Sequence, residues 1–456
     1  MRKESDFLGS VEIDENSYTG IHTKRAVENF AVSGYGIDED FIKAFGAVKL
    51  ACAKTISDID NVDCEKQNAI VSASNELMDG LLNKYVEVDA LQGGAGTSLN
   101  MNINEVIANR ALEILGEKKG NYDKISPLND VNKYQSTNDT FPTALKIALL
   151  FKLQKLESVV VQLQDTLQLK EKEFRNIVKV GRTELVEAVL TTLGREFSAY
   201  AETVSRDRWR IYKCQERLRV VNIGGTAIGT GLGAKKKFIF NCIENLRDIT
   251  GLGLARAENM IDNTQNADVF AEVSGILKAH AVNLIKISND LRLMSMLSEI
   301  KLPPLQAGSS IMPGKVNPVI PEMIGQIGIK ILGNDVIINH ATASGQLELN
   351  QYMPLIAFTM LESLNLLIKA NEIFAKKCVK GIKANLEVIK NHLNSSTATL
   401  TALLPKLGYE RLSKIAQNLQ LEKFDIKKYV VSKKLMTEEE FELLTSAENV
   451  IALGSE

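Results

Sequence analysis

An all-α fold is predicted from three observations. None of the chain's nine prolines lies between Pro142 and Pro303, which leaves a long central tract without the residue that most strongly breaks helices. From Thr143 to Val178 there is neither glycine nor proline, and Leu145, Leu149, Leu153, Leu156, Val160 and Leu163 recur at three- and four-residue steps, the period of one helix face. Hydrophobic residues make up 45% of the 456 positions, ample for the core that such helices need.

The first part of the chain, to about residue 139, mixes shorter helices with a polar loop at 93–104. One helix of many turns is expected over Thr143–Val178, with Pro142 at its first position and Asp139 and Thr140 as caps. Long helices are also expected over Leu185–Leu218, Phe270–Met296, Glu322–Thr342 and Tyr352–Phe374. Helices of this length expose apolar faces unless they pack in a bundle, within one chain or across subunits. From about Asn391 the patterns shorten, as in K-L-M-T-E-E-E-F, and indicate a small terminal helical domain. The expected division is 1–139, a small N-terminal domain; 140–391, a central long-helix bundle; and 392–456, a small C-terminal helical domain.

Composition narrows the function. With 54 basic and 56 acidic residues and a net charge of −2, the chain has no field for nucleic acid or a membrane surface, and a small-molecule partner is expected. Cys52, Cys64, Cys214, Cys242 and Cys378 form no C-x-x-C and suggest neither a disulfide framework nor a zinc site, which fits a reducing compartment. His22, His280, His340 and His392 are too scattered to suggest metal ligands. The N-terminus M-R-K-E-S-D-F-L-G-S lacks the apolar run of a signal peptide, and charge breaks the other apolar stretches before they reach membrane-spanning length, so a cytoplasmic location is expected.

Chemistry concentrates in Gly308–Pro318, G-S-S-I-M-P-G-K-V-N-P. Two prolines fix φ and two glycines relax it, so the segment reads as a loop with free backbone N–H groups. Ser309 and Ser310 add hydroxyls, Asn317 an amide and Lys315 a positive charge, a donor set suited to a small carboxylate. Thr97, Ser136, Thr137 and Asn138 are further short polar donors set among small residues. The stretch G-G-T-A-I-G-T-G-L-G followed by Lys235, Lys236 and Lys237 fits neither a P-loop nor a dinucleotide fingerprint, and reads as a loop near the site with lysines facing solvent.

Gly308–Pro318 resembles the signature of the aspartase/fumarase superfamily. The resemblance extends through G-G-A-G-T-S-L-N-M-N at 93–102, Q-S-T-N-D at 135–139, G-R-T at 181–183, G-G-T-A-I-G-T-G-L at 224–232 and G-Q-L-E-L-N at 345–350. It implies a three-domain, all-α chain forming a homotetramer whose active sites draw on three subunits. It also implies β-elimination from an amino acid through an aci-carboxylate, with no metal or cofactor. On this resemblance Ser309 is the general base, and Lys315 and Asn317 hold the α-carboxylate. Thr97, Ser136 and Thr137 hold the β-carboxylate, and Asn138 holds the amino group. Ser309 can act as a base only with its oxyanion stabilised in a site closed to water, so the signature loop is expected to close over substrate, with Gly308 and Gly314 as hinges. Glu348 is a candidate to orient Lys315, or else a solvated charge at a helix end.

The motifs look more like those of the superfamily's ammonia-lyases acting on L-aspartate than of its fumarases. Departures cluster where the leaving group is expected. After Thr183, Glu184 stands where relatives usually carry histidine or glutamine, and a carboxylate there repels a dicarboxylate but attracts a cationic amine. Val186-Glu187 replaces Gln-Asp, Leu190 replaces proline, and Gly233 stands where asparagine is common. Roughly five residues are missing between Leu293 and Pro303, a shortening that widens the pocket. An alternative within the superfamily is an ergothionase-like enzyme eliminating trimethylamine from a bulky betaine. Fumarate hydration and a catalytically silent scaffold of the same fold are the remaining readings.

Overall fold

The computed structural model describes residues 1–421 and 425–452. The chain is predominantly helical. Five helices dominate, Thr137–Phe174, Leu193–Leu218, Asp268–Met296, Val319–Ala343 and Met353–Ile373, four of them close to their expected spans. The chain forms two compact units, and each of the five helices is divided between them. The first comprises residues 1–156, 210–278 and 330–366, the second 157–209, 279–329 and 367–456.

In the first unit the helices Glu39–Ile59, Cys64–Met78 and Thr97–Ile114 pack together. Their core includes the rings of Phe41, Phe45 and Phe141, which meet at centroid distances of 5.1–5.8 Å, a geometry that adds to the burial energy of each ring. Gly96 lies against this cluster: a Cβ there would come within 2.2 Å of the Phe141 ring, and its φ of +96° is left-handed. Asp38 and Asp63 cap the two helices that follow them.

The polar loop expected at 93–104 is instead a short 3-10 turn, Gly94–Gly96, followed by the helix Thr97–Ile114. Asparagine usually disfavours helix by competing for local backbone. Here Asn100, Asn102 and Asn104 are buried and send their amides to Asn132, Thr137 and the Tyr85 carbonyl.

The helix expected from Pro142 begins earlier, at Thr137, and Pro142 lies inside it. Proline at this place removes the bond to the carbonyl four residues back, that of Asn138. That carbonyl instead accepts from Asn222 Nδ2 at 3.0 Å, so the helix tolerates the proline.

In the second unit Phe174, Phe197 and Tyr200 stack edge to face. The expected helix start at Leu185 is wrong. Val178–Thr183 and Val186–Thr192 form an antiparallel hairpin, and helix begins only at Leu193. The cause is the run of β-branched residues here, Val178, Val180, Val186, Val189, Thr191 and Thr192, which suit a strand better than a helix. A register shift between Val180 and Arg182 marks a bulge. Gly181 occupies it, where a Cβ would lie 2.8 Å from the Val189 carbonyl oxygen.

Toward the C-terminus of this unit, Leu403, Leu412, Ile415, Ile426, Val430 and Phe441 form a separate small core. The K-L-M-T-E-E-E-F stretch supplies a capping box, Thr437 with Glu440.

Contrary to expectation, the stretch Met353–Gly381 is long and apolar enough to cross a membrane by length and composition, and 67% of its apolar window is buried within the fold. The five cysteines are free.

Candidate active site

Four of the sequence motifs meet in the first unit. The helix Thr97–Ile114 starts at Gly96, which has no side chain to cap it, and Gln92 Oε1 accepts from Leu99 N at 2.9 Å; the helix dipole favours an anion at such an end. Beside it starts the helix Thr137–Phe174. Ser136 Oγ accepts from Asn138 N at 3.2 Å, and Asp139 Oδ1 accepts from Ser136 N at 3.0 Å, a reciprocal cap. Asn100 Nδ2 donates to Thr137 Oγ1 at 3.1 Å, which leaves the Thr137 hydroxyl hydrogen to donate elsewhere.

The loop 222–231 closes on the same helix end. Asn138 Nδ2 donates to the Ala227 carbonyl at 2.7 Å, and Thr226 N donates to Asp139 Oδ2 at 2.9 Å. The glycine-rich motif is therefore a support for Q-S-T-N-D, and its glycines answer to close packing: at Gly229 a Cβ would lie 2.4 Å from the Met260 carbonyl oxygen. The three lysines after it are exposed, as expected, and Lys235 also pairs with Asp60 at 2.7 Å. Asp60 also receives Lys133 and Tyr134. Burial raises the Asp60 pKa, but these three donors outweigh it and hold the carboxyl at about 2.

The fourth motif, 345–350, is a tight turn closed by Gln346 and Leu349, with Asn350 bonded to the Ala341 and Thr342 carbonyls. Ala95, Thr137, Asn138, Leu349 and Asn350 together line a cavity of about 10 Å³, room for one water-sized group. Glu348 is exposed.

Beneath these surfaces lie charges whose burial the sequence does not show. Lys49 is 2% exposed and donates to Asn132 Oδ1 and Gln135 Oε1; burial pushes its pKa down to about 8. Burial pushes the Asp139 carboxyl up to about 7, against the pull of the Ser136 and Thr226 N–H groups and Lys49. Lys146, on the cavity wall, donates to the Val220 carbonyl and Asn263 Oδ1, and burial lowers it to about 8. Asp139 stands within a quoted motif, and Asn222 two residues before another. Lys49 and Lys146 carry no sequence signal, because a lysine in a helical pattern reads as surface.

The second unit holds the other two motifs. In 308–318, a loop as expected, Ser309 Oγ accepts from Ile311 N at 3.2 Å and Met312 N at 2.9 Å. These two N–H groups are therefore not free for a ligand. They stabilise negative charge on the serine oxygen itself, the requirement for a serine base. Asn317 Nδ2 donates to the Gly308 carbonyl at 2.8 Å, and Gly308 N to the Lys315 carbonyl at 2.7 Å, closing the loop's neck. A Cβ on Gly308 would lie 2.8 Å from Asn317 N, so this glycine serves close approach rather than a hinge; Gly314, at φ +80°, has open space around it. Ser310 and Lys315 are exposed, and Ser309 and Asn317 are half-buried.

Thr183 ends the first strand of the hairpin, and Glu184 and Leu185 form its two-residue turn with φ of +52° and +64°. Both signs match a type I′ turn, yet neither residue is one that adopts it without strain. Arg182 anchors the hairpin to Glu299 Oε1 at 2.8 Å, where Lys179 and His392 also converge. Burial raises the Glu299 pKa, but those three partners together hold it below the usual carboxylate range.

Comparison with known proteins shows the family. A family profile described as Lyase matches residues 9–333, and one described as Fumarase C C-terminus matches residues 400–452. An aspartate ammonia-lyase from Bacillus sp is 44% identical over 445 residues, 96% of this chain and 95% of that protein. One from Escherichia coli K12 is 39% identical over 459 residues, 99% of this chain and 96% of that protein. Among solved structures, a fumarate lyase:delta crystallin from Brucella melitensis bound to cobalt has a TM-score of 0.94 at 41% identity, covering 97% of this chain and 98% of its own. A class II fumarase from Schistosoma mansoni has a TM-score of 0.92 at 30% identity, covering 99% of this chain and 100% of its own. Fold and motifs alike define a helical lyase, and the chain belongs to the aspartase/fumarase superfamily.

Proposed function

We propose that this protein is a carbon–nitrogen lyase that converts L-aspartate to fumarate and ammonia. The observation that carries the reading is 39–44% identity to aspartate ammonia-lyases over nearly the whole chain. The geometry is suited to the chemistry. Elimination requires removal of a weakly acidic C–H proton and stabilisation of the doubly charged aci-carboxylate, for which donors preorganised in a dry site are the main resource. Ser309 is the base, its alkoxide stabilised by the N–H groups of Ile311 and Met312. Lys315, Asn317 and Ser310 bind the α-carboxylate. Thr97, Ser136 and Thr137, at two helix N-termini, bind the β-carboxylate that becomes the aci form. Asn138 takes the ammonium, Thr183 and Glu184 border the leaving group, and Glu348 orients Lys315. Asn317 leaves its bond to Gly308 when substrate enters.

The protein is a cytoplasmic homotetramer with sites shared by three subunits, each chain organised as 1–139, 140–391 and 392–456. Exposure supports the shared site: Leu185 (75%), Leu232 (85%), Ile311 (84%) and Leu347 (87%) project from four of the motif loops, apolar tips that association would cover. Light scattering that returned a monomer at working concentration would overturn this part.

Ammonia and fumarate formation from L-aspartate tests the central claim, with both products expected in equal amounts. A second reading, elimination of trimethylamine from a bulky betaine, is favoured by the Glu184 carboxylate, and becomes the conclusion if aspartate yields neither product. Under the first reading Glu184→Gln raises turnover of aspartate, since the carboxylate repels a dicarboxylate; under the second it abolishes turnover of the betaine.

A further inference from the structure

Four contacts around Asn138 determine which end of its amide is presented to a ligand. Its Nδ2 is taken by the Ala227 carbonyl at 2.7 Å, so Oδ1 is the free end, and it has no bonded partner among the described residues. Its backbone carbonyl is taken by Asn222. The remaining two contacts belong to the next residue, Asp139, which is fully buried and splits its oxygens between Ser136 N in the helix cap and Thr226 N in the supporting loop.

Thr226 makes the arrangement unusual. It is a β-branched residue at φ +56°, a conformation that such residues rarely adopt, and its hydroxyl is buried without a partner among the described residues. Both features are unfavourable, and such strain persists only where surrounding contacts over-determine it. Among the described residues, the one side-chain contact that holds the Thr226 backbone is the Asp139 carboxylate at 2.9 Å. Release of that contact frees the loop to relax, and the Ala227 carbonyl, one residue on, moves with it.

We propose that Asp139 is a positioning residue for the substrate's ammonium. By holding Thr226 in its left-handed conformation it keeps the Ala227 carbonyl on Asn138 Nδ2, and so keeps Asn138 Oδ1 turned outward as an acceptor. An acceptor there suits an ammonium, which has only donors, and offers nothing to the methylene of a dicarboxylate that lacks an amine. The one-water cavity that Asn138 borders with Thr137 and Asn350 matches an ammonium in size. This inference rests on the reading of Asn138 as the amine-binding residue.

The test compares two ligands on the assembled enzyme: KM and kcat for L-aspartate, and the inhibition constant of succinate, which has both carboxylates and no amine. Asp139→Asn keeps the size but loses one of two acceptors. It is expected to raise the KM for aspartate about tenfold, the scale of one lost charge-assisted bond, with the succinate constant unchanged within about twofold. Asp139→Ser is the second variant should Asp139→Asn not fold, with the same selective change expected. Equal weakening of both ligands, or an unchanged KM, overturns the proposal. Asn138→Ala separates the two claims. If it too leaves the ratio of the two constants unchanged, the reading of Asn138 has failed; if it shifts the ratio while the Asp139 variants do not, only the role of Asp139 has failed.

Discussion

The two places that carry most of the polar motif residues are built in opposite ways. Around Q-S-T-N-D, side-chain or backbone groups of Thr137, Asn138 and Asp139 are held by distant parts of the chain: Asn100, Asn222, Ala227 and Thr226 reach them across 37 to 89 residues of sequence. Among the described residues, the side-chain hydrogen bonds of the signature loop stay within it, through Gly308, Ser309, Ile311, Met312 and Asn317, and Ile311, Met312 and Val316 stand exposed. A group held by many long-range bonds keeps its position before substrate arrives, and a loop held only locally opens at little cost. Under the proposed elimination, binding of the carboxylate that becomes the aci form would gain from the first property, because preorganised donors need no rearrangement in the transition state. On the same proposal, delivery and enclosure of the base would gain from the second.

That contrast predicts how variants divide between chemistry and stability. The largest effect belongs to the loop. Ser309→Ala should lower kcat by at least about a thousandfold, the scale of losing an activated group, yet leave the denaturation midpoint unchanged, since among the described residues its hydroxyl bonds only to its own loop. A parallel loss of stability would show the loop to be part of the core. Gly96→Ala should do the reverse. With φ at +96° and Phe141 at 2.2 Å, it should cost about 2–5 kcal/mol in urea unfolding, with any folded fraction retaining a functional base.

A smaller effect tests the support beneath the platform. The folded pKa of Asp60, about 2, lies below its unfolded value. The ionised group therefore contributes stability above about pH 4 that is lost as the pH falls toward 2. Asp60→Asn should be less stable than the parent by about 2 kcal/mol at pH 6, and the gap should close as the pH is lowered to 2; a gap independent of pH would remove the Lys133 and Lys235 pairs from the account. The smallest change is expected at the hairpin tip. Leu185→Gly, at φ +64°, should stabilise the fold by up to about 1 kcal/mol if the turn is merely strained. Lost activity in the same variant would show that the exposed Leu185 side chain contributes to the assembled site.

Much of this was legible in the residues. Long helices follow from a local period and from the lack of proline, and the ends of Asp268–Met296 and Met353–Ile373 lie within two residues of expectation. The errors have a common form. The hairpin Val178–Thr192 reads as helix to either side because its apolar residues also satisfy a helical pattern, and short apolar runs do not discriminate by period. Pro142 reads as a helix start because its compensating donor, Asn222, lies 84 residues from the carbonyl it rescues.

The helical class, the places of the polar motifs and the loop character of Gly308–Pro318 are local properties, legible because each depends on neighbours within a few positions. Only the tertiary structure decided that the glycine-rich loop is a support for Asn138, that Asp139 joins it to the helix end, that Lys49 and Lys146 are buried beneath the site, and that Asn317 closes the loop that carries Ser309. Those outcomes rest on hydrogen bonds whose two ends are mostly tens of residues apart, and on burial that decides whether a charge is solvated or must find a partner.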